Sequence, residues 1–393
     1  MPLDQSIAAM EEELAAWRRD LHRHPELGYA ETRTAGIVAE RLRAFGLDRV
    51  ETGIGGTGVV GVLHGATGPA AGESRAILLR ADMDALPIME ASGAPHASAT
   101  PGVMHACGHD GHTTMLLGAA KRLAETRAFE GSVVFVFQPA EEGGAGARAM
   151  LKDGLLERFP ARAVYGMHNY PGLPVGSFAL RPGACMASAD EFRIRIAGVG
   201  GHAAHPEAVR DPIVAGAALV QALQTVVSRR LDPLEPAVLS VSTFHAGTAS
   251  NVIPATAELS GTVRVFSEDL YARVTEEIAR LCERVGAAYG VEIVYEVDDS
   301  VYPPTVNDAE ETAFCGRVLD ALAGRERVRH DVPPVMGSED FAFLARERPG
   351  CFVFCGTGDI PPLHHPEYDF DDAASPWGVG YWTALVEAAL PRA

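Results

Sequence analysis

Apolar positions in the first half of the chain alternate between two rhythms. Ser6 to His24 has helical spacing and stops before Pro25, and Glu31 to Phe45 has the same spacing and is closed by Gly46. Val59 to Leu63 and Ala76 to Leu79 are short apolar runs of strand length. Gly111 to Arg127 is helical in spacing, while Val133 to Phe137 and Ala163 to Met167 are again strand-like. Helices alternating with short buried strands predict an α/β domain with a mixed, mostly parallel sheet.

The rhythm changes near Ala187. Glu191 to Ile196 alternates sides, as a half-exposed strand does. Asp211-Pro212 opens a helix running to about Arg230, with Asp as N-cap and Pro in the first turn. Val238 to Phe244 and Ala257 to Val265 are alternating strands. Ser267 caps a helix that ends at Gly290, and Val291 to Val297 is a last strand. The order is β-α-β-β-α-β, that of a ferredoxin-like unit. The chain therefore reads as an α/β domain in two parts, 1–186 and 298–393, with an inserted domain at 187–297. In the second part, helices are expected over Asp308 to Leu322, Ser338 to Arg346 and up to Leu390, with a strand at Phe352 to Phe354.

Composition narrows the function. The chain has 393 residues and a formal net charge of −19. Such an acidic balance argues against a nucleic-acid partner, which needs clustered Lys and Arg. No apolar run approaches the roughly 20 residues that cross a bilayer. The N-terminal stretch carries Glu11, Glu12 and Glu13 rather than a basic leader and an apolar core, so neither membrane insertion nor export is expected and a cytoplasmic location is. Six cysteines in so long a chain do not make a disulfide framework.

Candidate chemistry sits at the ends of the apolar runs, where open α/β sheets bind their ligands. After Ala76–Leu79 comes Arg80-Ala81-Asp82-Met83-Asp84, after Val133–Phe137 comes Gln138-Pro139-Ala140-Glu141-Glu142, and after Ala163–Met167 comes His168-Asn169. A helix opens with His105-Ala106-Cys107-Gly108-His109-Asp110-Gly111-His112, and His364-His365-Pro366 lies near the C-terminus. Cys, His and Glu together suit a borderline metal such as zinc. Cys107, His109, Glu142, His168 and a histidine of the 364–365 doublet are too many for one catalytic ion, which keeps a position open. They suit two ions sharing a ligand and a water. Glu141, beside a ligand but aimed differently, is the natural general base. Gly53-Ile54-Gly55-Gly56-Thr57-Gly58 fits a dinucleotide-binding pattern, but it precedes a strand and opens no helix, so a glycine-rich turn is expected. No G-x-S-x-G elbow supports a serine hydrolase.

Six motifs occur in order: Asp82-Met83-Asp84-Ala85-Leu86-Pro87, Met104 to His112, Gln138 to Gly144, Met167-His168-Asn169, Gly200-Gly201-His202-Ala203-Ala204-His205-Pro206, and Met336-Gly337-Ser338-Glu339-Asp340-Phe341. Together they resemble the amidohydrolase branch of the aminoacylase/carboxypeptidase metallopeptidase family, over nearly the whole chain. That branch includes hippurate hydrolase, auxin-conjugate hydrolases and N-acyl-amino-acid amidohydrolases. The resemblance implies a dinuclear exopeptidase-like catalytic domain with a ferredoxin-like lid and dimerisation insert. It implies two divalent ions (Zn, Mn, Ni or Co) held by Cys107, His109, Glu142, His168 and His364, with Cys107 in the bridging place. It implies Glu141 as general base and Asp84 as the residue steering the ligands. In the insert, His202 would help hold the oxyanion, and Asn251 and Arg264 would grip the substrate.

The activity so implied is cleavage of the amide bond of N-acyl amino acids (hippurate-like, acetyl or aryl-acetyl) to a carboxylic acid and a free amino acid. The expected assembly is a homo-oligomer, a dimer or tetramer formed through the lid. Alternatives are a dipeptidase or carbamoylase with the same metal centre, or a non-catalytic metal-binding protein on this scaffold.

Overall fold

The apolar runs of the first part of the chain are strands buried on both faces, as a parallel sheet covered by helices requires. The computed structural model describes residues 3–66, 68, 75–298 and 301–392. In chain order, α1 (Gln5–Ala8), α2 (Glu11–Arg23) and α3 (Thr32–Ala44) lead into β1 (Arg49–Ile54) and β2 (Gly58–His64). Then follow β3 (Ala76–Asp82), α4 (His109–Thr126), β4 (Ser132–Gln138), α5 (Gly146–Lys152), α6 (Leu155–Arg158), β5 (Ala163–Tyr170), β6 (Phe178–Ala179) and β7 (Gly183–Met186). The insert holds β8 (Phe192–Ala197), β9 (Gly201–His202), α7 (Pro212–Thr225), β10 (Ala237–Ala246), β11 (Val252–Ile253), β12 (Thr256–Val265), α8 (Glu268–Tyr289) and β13 (Glu292–Val297). The chain closes with β14 (Thr305–Asn307), α9 (Ala309–Ala323), β15 (Val328–Arg329), α10 (Phe341–Glu347), β16 (Gly350–Gly356) and α11 (Ser375–Ala389).

These elements form two compact units. One comprises Met1–Cys185, Val306–Pro333 and Asp340–Ala393; the other comprises Met186–Thr305 and Pro334–Glu339. The first holds a mixed eight-stranded sheet in the order β1-β2-β4-β3-β5-β16-β6-β15. Its centre, β4-β3-β5-β16, is parallel throughout, so the carboxyl ends of these strands share one edge, which Asp84, Glu142 and His168 occupy or closely follow. Leu79, Phe135, Tyr165, Val353, Trp382 and Leu385 belong to its core and are nearly inaccessible to water.

In the second unit, β10-β12-β8-β13 form a four-stranded sheet, antiparallel throughout. This strand order is that of a ferredoxin-like unit. On β8, Phe192, Ile194 and Ile196 are buried while the residues between them are exposed. They join Leu219, Leu259, Val263, Val274 and Ile278 in a separate core. Both helix starts are capped as their residues suggest: Asp211 accepts from the amides of Ile213 and Val214, and Ser267 from that of Leu270.

The structure departs from the pattern reading at several ends. The first helix divides into α1 and α2 at Ala9–Met10. Glu11, Glu12 and Glu13 occupy the first turn of α2, where the helix dipole favours negative charge. The expected helix from Ser338 starts only at Phe341, and Asp340 at its N-cap position caps none of the helix's own amides, since its carboxylate is engaged by Arg80, Gln138 and the Ala147 amide. Strand β1 has one buried residue, the rest being exposed or half-buried, and no apolar signature. It pairs antiparallel with β2 across the Gly53–Gly58 segment, where Gly53, Gly55 and Gly56 take positive φ. That segment is a turn between strands, not the start of a helix.

Candidate metal centre and its surroundings

The loop before α4 brings Cys107 to the carboxyl edge of the sheet. Gly108 makes the entry to α4 at φ 86°, and a Cβ there would come within 2.5 Å of Asn169 Nδ2 and Tyr368 Oη. Only glycine fits this left-handed, crowded position. His109 follows as the first residue of α4. Its Nδ1 bonds to the Asp84 carbonyl at 2.9 Å and lies 3.2 Å from Asp84 Oδ1. With Nδ1 as the donor, Nε2 is the nitrogen that can lose its proton and give its lone pair to a cation.

His168 is fixed in the same manner. Its Nδ1 donates to the Asn169 carbonyl at 2.7 Å, and its Nε2 points at Cys107 Sγ, 3.4 Å away. Glu142 and Glu141 lie on the turn after β4. The Glu142 amide donates to Asp84 Oδ2 at 2.9 Å, so Asp84 orients His109 through one oxygen and the Glu142 backbone through the other. Glu141 is buried, and its Oε1 accepts from the Asp340 amide at 3.3 Å. His364 takes a left-handed backbone at φ 64°, and its amide donates to the Ala106 carbonyl at 2.8 Å. This sets its Nε2 3.3 Å from Glu142 Oε1. His365 instead accepts from the Glu367 amide and is exposed.

The donor atoms fall into groups within 4.8 Å of one another that could hold a cation: Cys107 with His109 and His168, Cys107 with Glu142 and His364, and His109 with Glu141 and Glu142. Cys107 is common to the first two. The structure thus brings Cys107, His109, His168, Glu142 and His364 together, with Glu141 beside them.

The electrostatics fit a cation. Burial pushes the Cys107 thiol well above its usual range, and Glu142, Glu141 and Asp82 push it the same way. Burial, together with His112, holds His168 well below the ordinary imidazole value. At His109 burial opposes charge, but Asp82, Asp84 and Glu142 outweigh it and lift the group to about 10. His109 Nε2 and Glu142 Oε1 are both buried without a hydrogen-bond partner, 4.0 Å apart. Orphaned polar atoms of this kind are costly, and a cation between them satisfies both.

A second set of groups, quoted above only as parts of motifs or not singled out at all, supports the first. His112 Nδ1 bonds to Asp82 Oδ1 at 2.6 Å, and its Nε2 accepts from the Asn169 amide at 3.0 Å. Buried Arg80 pairs with Asp82 at 2.7 Å and with Asp340 at 2.9 Å. Glu31, fully buried, accepts from the Ala140 amide at 2.8 Å. The position of Asp82 at a strand end was a readable signal. For Glu31, an isolated acid before a helix, there was none.

In the second unit, His202 lies on β9, which pairs with β11 through His202 and Val252. The Ala203 amide donates to the Asn251 carbonyl at 3.1 Å, so His202 and Asn251 are neighbours, and both are exposed. His202 Nδ1 accepts from the Ala204 amide at 3.0 Å, which leaves the ring proton on Nε2. Arg264 is not part of this group. It lies near the far end of β12, eight residues beyond Thr256, or about 27 Å at strand spacing. It is half-buried, and its Nη1 donates to the Met336 carbonyl at 3.2 Å.

An α/β unit with clustered donors at its strand ends, and a ferredoxin-like insert, define a metallopeptidase type of architecture. The model of peptidase family M20/M25/M40 matches residues 78–388, and the chain belongs to that family. It is 40% identical over 385 residues to a hippurate hydrolase of Campylobacter jejuni, covering 98% of each chain. It is 40% identical over 377 residues to an N-acetylcysteine deacetylase of Bacillus subtilis, covering 95% of this chain and 96% of the relative. Among solved structures, a Bacillus subtilis dinuclear metal binding peptidase from the M20 family matches with a TM-score of 0.83 at 35% identity, covering 98% of this chain and 99% of that one.

Proposed function

We propose that the protein is a metal-dependent amidohydrolase that cleaves the amide bond of N-acyl amino acids, releasing a carboxylic acid and a free amino acid. The observation that carries this reading is the pair of donor groups sharing Cys107 with the buried Glu141 at their side. The hippurate hydrolase and N-acetylcysteine deacetylase relatives support the substrate class. Cys107, His109 and His168 would hold one divalent ion, and Cys107, Glu142 and His364 the other; Zn, Mn, Ni and Co all suit these donors. When bound, the ions supply Lewis acidity toward an amide carbonyl and make a water acidic at neutral pH.

The remaining steps belong to the chain. Glu141 takes a proton from the water that attacks the carbonyl carbon. The C–N bond then breaks, and Glu141 returns that proton to the leaving nitrogen. His202, with its proton on Nε2, donates to the oxyanion. Asn251 and Arg264 hold the substrate, the Arg fork donating two hydrogen bonds to its carboxylate. Since about 27 Å of strand separates Arg264 from the His202–Asn251 ribbon, far more than an acyl amino acid spans, one copy of the insert does not supply both. This favours a dimer or tetramer built through the insert, each substrate meeting Arg264 of one copy and His202 of another.

Among the described residues no helix is long and apolar enough to cross a membrane. All six cysteines are free thiols, which suits a reducing cytoplasm. The test is hydrolysis of benzoyl-glycine, acetyl-amino acids and indole-acetyl conjugates by metal-replete protein. Release of free amino acid from at least one class is expected. Inactivity on all of them, with activity on dipeptides or carbamoyl-amino acids instead, would overturn the substrate assignment.

A further inference from the structure

The Met336–Phe341 motif has no role in the chemistry set out so far, yet its Asp340 is fully buried and heavily bonded. Asp340 Oδ1 accepts from Arg80 Nη2 at 2.9 Å and from Gln138 Nε2 at 2.8 Å. Its Oδ2 accepts from the Ala147 amide at 2.9 Å and lies 3.0 Å from the same Gln138 nitrogen. Arg80, Gln138 and the Ala147 amide thus all donate to this carboxylate, while carboxylate oxygens of Glu141 and Glu339 lie within 4.8 Å of it. Its own backbone amide donates to Glu141 Oε1.

The turn that Asp340 grips is strained. Ala140 and Ala145 sit at φ 50° and φ 52°, a region that L-residues other than Asn and Asp rarely adopt. A Cβ on Gly146 would come within 1.7 Å of the Pro139 carbonyl oxygen. A backbone bent this way holds only where its surroundings determine it. Asp340 binds the segment at its start, through Gln138, and at its end, through the Ala147 amide, with Glu141 between them.

We propose that Asp340 is the positioning residue of the general base: its carboxylate, clamped by Arg80 and Gln138, fixes both the backbone amide that holds Glu141 Oε1 and the strained turn that carries Glu141. The inference rests on Glu141 being the base. Asp340 touches no reacting atom and acts through Glu141 alone.

Asp340→Asn tests it. The amide is isosteric but turns one acceptor oxygen into a donor that faces donors. A displacement of the base by a fraction of an ångström to an ångström is expected to cost about 100-fold in kcat. KM and the number of metal ions per chain, measured by mass spectrometry of dialysed protein, should stay unchanged. A kcat within twofold of wild type would overturn the proposal. If Asp340→Asn fails to fold or loses metal, Gln138→Met decides. It removes two donors to Asp340 while keeping volume, and should lower kcat about tenfold at unchanged metal content; an unchanged kcat there overturns the proposal equally.

The Glu141→Gln background separates this inference from the reading beneath it. If Glu141 is the base, Glu141→Gln alone loses nearly all turnover, and adding Asp340→Asn should alter the residual rate less than twofold. A further loss as large as in wild type would show that Asp340 acts independently of Glu141. Near-normal turnover by Glu141→Gln would instead remove the base assignment itself.

Discussion

Cys107, His109 and His168 are buried, and each imidazole has one nitrogen tied to a carbonyl or carboxylate. His202 and Asn251, in contrast, stand exposed on a two-residue ribbon, with a single amide contact orienting the histidine. The first arrangement is set before any ligand arrives; its orphaned atoms wait for a cation, not for a movement of the chain. The second leaves its groups solvated. The clustered donors belong to the sheet unit. The proposed oxyanion donor, His202, is on an exposed two-residue element with few buried contacts.

Three substitutions probe that contrast. The largest effect is expected from Glu141→Gln, which should lower kcat at least about 1,000-fold with two metal ions still bound. Loss of metal along with activity would show Glu141 to be a ligand and not a base. His202→Ala should lower kcat about 100-fold while leaving metal content and melting temperature unchanged, as removal of an oxyanion donor does. A shifted melting temperature would mean that the exposed ribbon is more structural than its contacts suggest. Arg264→Ala should raise KM about tenfold. Mixing the impaired His202→Ala and Arg264→Ala proteins, allowing subunits to exchange and assaying well below KM should restore about a quarter of wild-type activity if each site draws on two copies. No recovery above the separate variants would place both residues in one subunit's site.

The smallest effect concerns stability. Burial opposes charge on His22, but Asp110 and Glu90 raise it to about 9 against 6.5 for the free group. A raised folded-state value stabilises the fold fully below about pH 6.5, and that contribution is lost as pH rises through 9. The melting temperature of wild type should therefore fall by a few degrees between pH 7 and pH 9.5, and His22→Gln should flatten that part of the profile. An unaltered slope in the variant would show that other groups govern it.

The clustering of donor residues was legible because open α/β sheets place ligands at strand ends, and Asp84, Glu142 and His168 each follow an apolar run by a residue or more. The insert was legible because alternation, the Asp211 and Ser267 caps and Gly290 agree on one topology. The resemblance, not the spacing, singled out His364 from the doublet, and its left-handed backbone depends on a contact with Ala106 that local sequence does not encode. Arg80 and Asp340 are 260 positions apart, and Glu31 and Ala140 are 109 apart. Pairings that distant leave no periodic trace, so the clamp around Glu141 emerges only in three dimensions. The separation of Arg264 from His202 is of the same kind: both carry motif resemblance, but only the β12 register reveals their distance.

The shared sulfur is the hinge of this account, and cobalt reports on it directly. Metal-free protein titrated with Co²⁺ should take up two ions per chain and develop a sulfur-to-cobalt charge-transfer band that Cys107→Ala abolishes. Uptake of fewer than two ions, or two ions with no sulfur band, would contradict it.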